Sequence, residues 1–341
     1  MTIKKGRRIS AFVLAAALLF SAVVLPKVHA AVGVDTKKMC VLEIDLSECG
    51  FNELSGVSAL PVKVNLYKVA DIDVSGNYTA VSSLEDLNAD FAGIDATTTA
   101  EEWREWALKA KTEIEANETA VTASGTTEYG IAVIDSLETG LYLVDARQVE
   151  SSDYTYDFTP FLISMPNNYY YSTGDDTWVY DLIGDNAVSL KTARTDRLGD
   201  LVIHKSLDVY NETIGGATFV FRIEAVKTDV DAKEDAADRT KVVYSDVVSM
   251  TFTGPGTDSI IIKDLPAGAE VTVTEVYSGA SYKVTTDASV TKEILAETAV
   301  DITFENTYDS RLNGGSGIVN SFTYDSETKG WIPSQAEDST P

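Results

Sequence analysis

Three residues in the second half of this 341-residue chain have side chains that could react with one another: Lys205, Glu275 and Asn306. Each ends an alternating run. Leu201 and Ile203 lead to Lys205, Val271 and Val273 lead to Glu275, and Ile302 and Phe304 lead to Asn306. Residues two apart in a strand share a face, so each run places a polar group on its apolar side. Burying such a group without a partner costs roughly 1–3 kcal/mol, and more if it is charged. The economical arrangement is for the three to meet. Loss of water drives a lysine towards its neutral amine and a carboxyl towards its protonated form. A neutral Lys205 could then attack the Asn306 carboxamide while Glu275 polarises the carbonyl and passes a proton to the departing ammonia. The product would be an amide cross-link. With strand parity reversed, all three would instead be ordinary exposed polar residues. Spacing alone leaves both outcomes open.

The elements that would hold the trio carry further signals. They include Gly216-Ala217-Thr218-Phe219-Val220-Phe221, Ile262-Lys263-Asp264-Leu265-Pro266-Ala267-Gly268, Val273-Thr274-Glu275-Val276-Tyr277 and Phe304-Glu305-Asn306-Thr307-Tyr308. With the opening strand around Lys205, these pieces make residues 199–309 resemble a collagen-adhesin B-type (Cna-B) domain. That is the self-cross-linking module of Gram-positive pilins and surface adhesins. The resemblance implies a β-sandwich in which Lys205 and Asn306 form an intramolecular isopeptide bond, with Glu275 as the acid/base.

Residues 1–30 read as a secretory signal peptide. Lys4, Lys5, Arg7 and Arg8 precede an apolar run from Ala11 to Leu25, and Val28-His29-Ala30 supplies a small-residue exit. A retained N-terminal anchor is the alternative. Cleavage would remove five positive charges and lower the formal charge from −26 to −31. So acidic a surface repels nucleic acid and anionic lipid, which excludes both as expected partners. The expected mature chain has no membrane span and works outside the cell, at the cell surface or in a pilus. Its length suggests two domains, and its Val-, Thr-, Tyr- and Ile-rich strand-length runs suggest an all-β protein. The expected fold is two tandem immunoglobulin-like β-sandwiches, the first with one inserted helix. The expected boundaries are 31–191, a linker at 192–198, 199–309, and a Gly-rich acidic tail at 310–341, with one extra strand possible in the tail.

In the first domain, 38–48, 61–72, 130–133, 140–144, 158–166 and 178–182 read as strands. Asp71-Ile72-Asp73-Val74-Ser75-Gly76 echoes the start of a calcium loop, but position twelve is Ser82 rather than glutamate, and a turn is the simpler reading. A helix is expected over 99–116. Thr98 or Thr99 would cap it, and Trp103, Trp106, Ala107, Ala110 and Ile114 would form the stripe that lies on a sheet. Leu66-Tyr67-Lys68-Val69-Ala70-Asp71, Gly140-Leu141-Tyr142-Leu143-Val144, Pro160-Phe161-Leu162-Ile163 and Trp178-Val179-Tyr180-Asp181 together resemble the N-terminal domain of Gram-positive fimbrial subunits. Shaft pilins carry a polymerisation lysine shortly after that tryptophan. Here Gly184-Asp185-Asn186 stands in its place, and the next lysine, Lys191, is a candidate for inter-subunit linkage or a plain solvent lysine.

Cys40 and Cys49 could pair outside the cell, although an extended strand between them would hold them apart. The charged stretch Lys227–Lys241 reads as a solvated loop. After Trp331-Ile332-Pro333-Ser334-Gln335 there is no apolar span, so no sortase anchor is recognisable.

These features point first to a secreted structural surface protein, a pilin or adhesin-stalk subunit stiffened by its own cross-link. The resemblance implies partners among other pilus or cell-wall proteins, linked by sortase. The alternative is a binding module for host matrix or glycan, with its ligand surface on the first domain. A hydrolase is disfavoured. There is no metal-ligand cluster, no H-E-x-x-H and no nucleophile elbow, and His204 is the one histidine after residue 30. No metal, cofactor or enzymatic turnover is expected.

Overall fold

The computed structural model describes residues 33–47, 49, 59–95, 97–168, 177–213, 215–229, 239–310, 322–325 and 330–333. The signal-peptide reading, residues 230–238 and most of the tail lie outside them.

Alternation sets the first layer. In β1 (Cys40–Asp45) every second residue is buried, so Cys40, Leu42 and Ile44 face one core. β2 (Lys63–Ile72) is buried almost throughout because both of its faces are covered. On one side the core contains Leu42, Ile44, Val64, Leu66, Tyr142 and Val144. On the other, Tyr67, Val69, Leu141 and Leu143 receive helix α1 (Ala100–Ala116) through Trp106, Ala107, Ala110 and Ile114. The helix starts where the sequence says. The Thr99 hydroxyl accepts from the Glu102 amide at 3.2 Å, and the Glu102 carboxylate accepts from the Thr99 amide at 2.7 Å.

β3 (Ile131–Leu137) pairs antiparallel with β1. β4 (Gly140–Ala146) lies between β2 and β6 (Phe161–Met165), and β5 (Tyr154–Thr159) lies outside that sheet. The 158–166 run is therefore two strands, divided at Pro160, whose missing N–H interrupts a ladder. Two short helical segments, Ser82–Leu87 and Asn88–Phe91, have no counterpart in the sequence reading. They bury only Leu84, Leu87 and Phe91, too few positions to show a helical period. At Asp73 the turn prevails. Its carboxylate accepts from the Ser75 and Asn77 amides at 2.7 and 2.9 Å.

The stretch expected as a linker is mostly strand. β7 (Lys191–Asp196) pairs residue for residue with β5, and after Arg197 the chain runs directly into β8 (Leu198–Leu207). The sequence Thr-Ala-Arg-Thr-Asp looks aperiodic because its half-buried positions are the polar Thr192 and Arg194, while the apolar Ala193 faces out.

The second domain is a two-sheet sandwich. β9 (Ala217–Thr228) pairs with β10 (Thr240–Phe252), and Lys227 and Thr228 lie opposite Lys241 and Thr240. Both ends of the expected 227–241 loop are thus strand. β11 (Gly256–Pro266) joins the other sheet, followed by β12 (Glu270–Tyr277), β13 (Tyr282–Val284), β14 (Ser289–Glu293) and β15 (Ala299–Tyr308). The sheet orders are β11-β8-β15-β13 and β10-β9-β12-β14. First strand β8 and last strand β15 are parallel neighbours through eight register pairs, from Asp200 opposite Ala299 to Leu207 opposite Asn306. Gly199 permits this entry, since a Cβ there would run into the Leu295 carbonyl oxygen. Between the sheets lie Phe219, Phe221, Phe304, Ile203, Val271 and Val273, each contributing about 1.5–3 kcal/mol by leaving water. In the tail, Phe322–Asp325 pairs with Gly330–Pro333 as a two-stranded ribbon, where the sequence suggests one extra strand.

Candidate functional site

The sandwich core contains three side chains that do not belong in a hydrocarbon interior. Lys205 is 0%, Glu275 8% and Asn306 1% exposed. The strand phases explain this: β8 buries every second residue from Gly199 to Leu207, β12 buries Val271, Val273 and Glu275, and β15 buries Ile302, Phe304 and Asn306. Lys205 lies opposite Phe304 across the parallel pair, and Asn306 is the next inward residue along β15. With strands about 4.8 Å apart and a rise of about 3.3 Å per residue, the Cα atoms of Lys205 and Asn306 are about 8 Å apart on one face. That is within the span of an extended lysine. Glu275 projects from the facing sheet.

The contacts are specific. The Asn306 Nδ2 donates to Glu275 Oε1 at 2.5 Å and to the Ser278 carbonyl oxygen at 3.3 Å. Lys205 Nζ lies 4.5 Å from the centroid of the Phe219 ring and donates to the carbonyls of Ser206 at 2.7 Å and Phe304 at 3.4 Å. No carboxylate forms an ion pair with it among the described residues. Asn306 Oδ1 and Glu275 Oε2 are buried without a hydrogen-bond partner. Two such orphan atoms in one core are costly and call for an explanation.

Burial governs the charge states. Loss of water pushes the Lys205 ammonium down to about 8, against the opposing pull of the Glu275 and Glu305 charges. Burial also raises the Glu275 carboxyl, with the Asn306 hydrogen bond and the Lys205 charge acting the other way. An amine that can shed its proton, a carboxyl that can keep one and an amide carbon therefore share one dry space. Such a set can carry out acyl transfer from nitrogen to nitrogen.

One detail differs from the sequence reading. Glu275 touches the carboxamide nitrogen rather than its oxygen, which places it on the leaving group. The Ser278 carbonyl and the Phe219 ring are additions that the sequence does not announce. Gly279, at φ +83, turns the chain after β12 and packs against Tyr282 and Phe219. A Ser-Gly pair after a strand signals a turn, but nothing in it marks an acceptor for Asn306.

The other candidates fall elsewhere. Cys40 and Cys49 do not form a disulfide. Cys40 is the first residue of β1 and Cys49 lies beyond its far end; six extended residues span about 17 Å, and the turn after them does not bring Cys49 back to bonding range. Burial pushes the Cys40 thiol up to about 11, so it is an inert core residue. Lys191 is exposed at the first position of β7, opposite Thr159. Among the described residues, no group of three His, Cys, Asp or Glu side chains could hold a metal ion, and no helix is long and apolar enough to cross a membrane.

A domain family of unknown function, DUF5979, matches residues 201–309, which include all three members of the trio. No curated protein matches the chain. Among solved structures, the Bacillus anthracis TIE protein is 14% identical with a TM-score of 0.30, over 79% of this chain and 34% of that one. The chain thus spans about a third of that protein's length. A Streptococcal ancillary pilin is 16% identical with a TM-score of 0.26, over 80% of this chain and 69% of that one. The minor pilin of Streptococcus agalactiae is 14% identical with a TM-score of 0.22, over 82% of this chain and all of its own. Likenesses this distant assign no function.

Proposed function

We propose that this chain is a secreted structural surface protein, a pilin or adhesin-stalk subunit, whose second domain closes an isopeptide bond between Lys205 and Asn306. The observation that carries the proposal is the complete burial of a lysine without an ion-pair partner beside a buried carboxyl–carboxamide pair. Neutral Lys205 Nζ attacks Asn306 Cγ, forming the C–N bond. The Glu275 carboxyl, protonated at the outset, delivers its proton to Nδ2 as the Cγ–Nδ2 bond breaks and ammonia leaves, and the resulting carboxylate takes up the surplus proton from Nζ. Glu275 ends as it began. Both reactants belong to the chain and the event happens once, so it is not enzymatic turnover.

The bond would join the first and last strands, so the domain could not unravel between them. It would also convert a buried ammonium into a neutral amide and give the two orphan atoms new surroundings. Such a closure suits a protein exposed to proteases outside its cell. Intact-mass measurement of the chain tests the proposal. It should be lighter than its sequence by one ammonia, and Lys205→Ala should restore the full mass. A wild-type mass equal to the sequence mass would refute it.

A further inference from the structure

A second set of polar contacts, with mostly covered cations and partly exposed acids, lies where the two domains meet, and it needs no cross-link. Arg197, between β7 and β8, is held on both sides. Its amide donates to the Asp153 carbonyl at 2.9 Å in the first domain, and its carbonyl accepts from the Ala267 amide at 2.8 Å in the second. Its guanidinium donates to the Ser151 carbonyl at 2.7 Å, pairs with Glu150 at 3.3 Å, and reaches Glu297 of the second domain at 2.9 Å. The side chain is only 18% exposed.

A second cation docks independently. Lys227, at the end of β9, pairs with Asp196 at 2.5 Å and lies 4.2 Å from the centroid of the Tyr154 ring, with its side chain 10% exposed. Arg194 lies 4.3 Å from the centroid of the same ring. Gly268 (φ +75) lies at the same seam, with the Asp153 carboxylate over its Cα. Freely hinged domains do not bury long cationic side chains between them, since each cation would give up its hydration for partners that every swing pulls away.

We infer that Arg197 and Lys227 form a latch that fixes the two domains as one rigid body. The inference is independent of the isopeptide bond and would hold if that bond were absent.

Nitrogen-15 relaxation of the deuterated mature chain reads this directly. The two domains should share one rotational correlation time. The double variant R197A/K227A, which removes the ionic contacts, should give two separate values with native chemical shifts away from the seam. Separate tumbling in the wild-type chain would overturn the latch, whether or not the variant folds. Shared tumbling retained by R197A/K227A would overturn it as well.

Discussion

Lys205 and Lys111 make a useful pair, because each lies near an acid and an asparagine yet their settings oppose one another. Lys111, on α1, is paired with Asp145 at 2.6 Å and with Glu115 at 3.5 Å, and its side chain is 33% exposed. Asn65 lies directly opposite Asp145 across β2 and β4, 1% exposed, with Oδ1 unpartnered. The residue types would pass for a second reactive trio. At Lys111, burial lowers the pKa, but hydrogen bonds and charge from Asp145 and Glu115 outweigh it and hold the ammonium above its ordinary range. At Lys205 burial dominates and the proton is loosened. Composition is shared, and water and ion pairing decide which lysine is a nucleophile.

The largest expected contrast is in mass. Wild type should lose one ammonia rather than two. Lys205→Ala should lose none, and Lys111→Ala should keep the wild-type deficit. A two-ammonia loss would break the distinction.

Next in size is the acid. Glu275→Ala should slow bond formation roughly 10²–10⁴-fold, the usual range for removing a positioned acid/base. Mass sampled after refolding should show uncross-linked chain long after wild type is complete, whereas Asp145→Ala should follow the wild-type course.

The pH profile should sharpen the assignment. Reaction needs the amine neutral and the carboxyl protonated. Between the raised Glu275 pKa and the Lys205 value near 8, these requirements cancel and the rate is flat. Above about pH 8 it should fall tenfold per unit as Glu275 alone becomes limiting. A rate that keeps rising through pH 9 would remove Glu275 as proton donor.

Stability gives a smaller effect. Asn306→Ala leaves Lys205 buried and unreacted. Its folded pKa lies near 8 and its unfolded value near 10.5, so unfolding takes up a proton between these and stability rises with pH across that window. The gain is roughly 3 kcal/mol at most. Denaturant melts should show it, and adding Lys205→Met should flatten it. Smallest of all, Lys111→Met should cost no more than about 1 kcal/mol, as expected of a partly exposed ion pair.

Much of this is legible in the sequence. Period-two runs ending in Lys205, Glu275 and Asn306 locate the trio because an inward phase survives whatever the strand pairs with. The helix is equally plain, with its Thr99 cap and its Trp106-to-Ile114 stripe. What escapes depends on partners. The β7 strand hides because its inner face is only half covered, and the disulfide fails because strand length rather than Cys count sets the separation. Arg197 looks like one more polar residue in a linker, since nothing local tells that carbonyls and acids from two domains converge on it.

The parallel pairing of β8 with β15 has a mechanical consequence. The chain enters at the foot of one strand and leaves at the head of its neighbour, so tension between the two ends slides the strands past each other instead of peeling them apart. The ladder along the eight register pairs then bears the load together, and the domain resists a pull along its axis as a lap joint does.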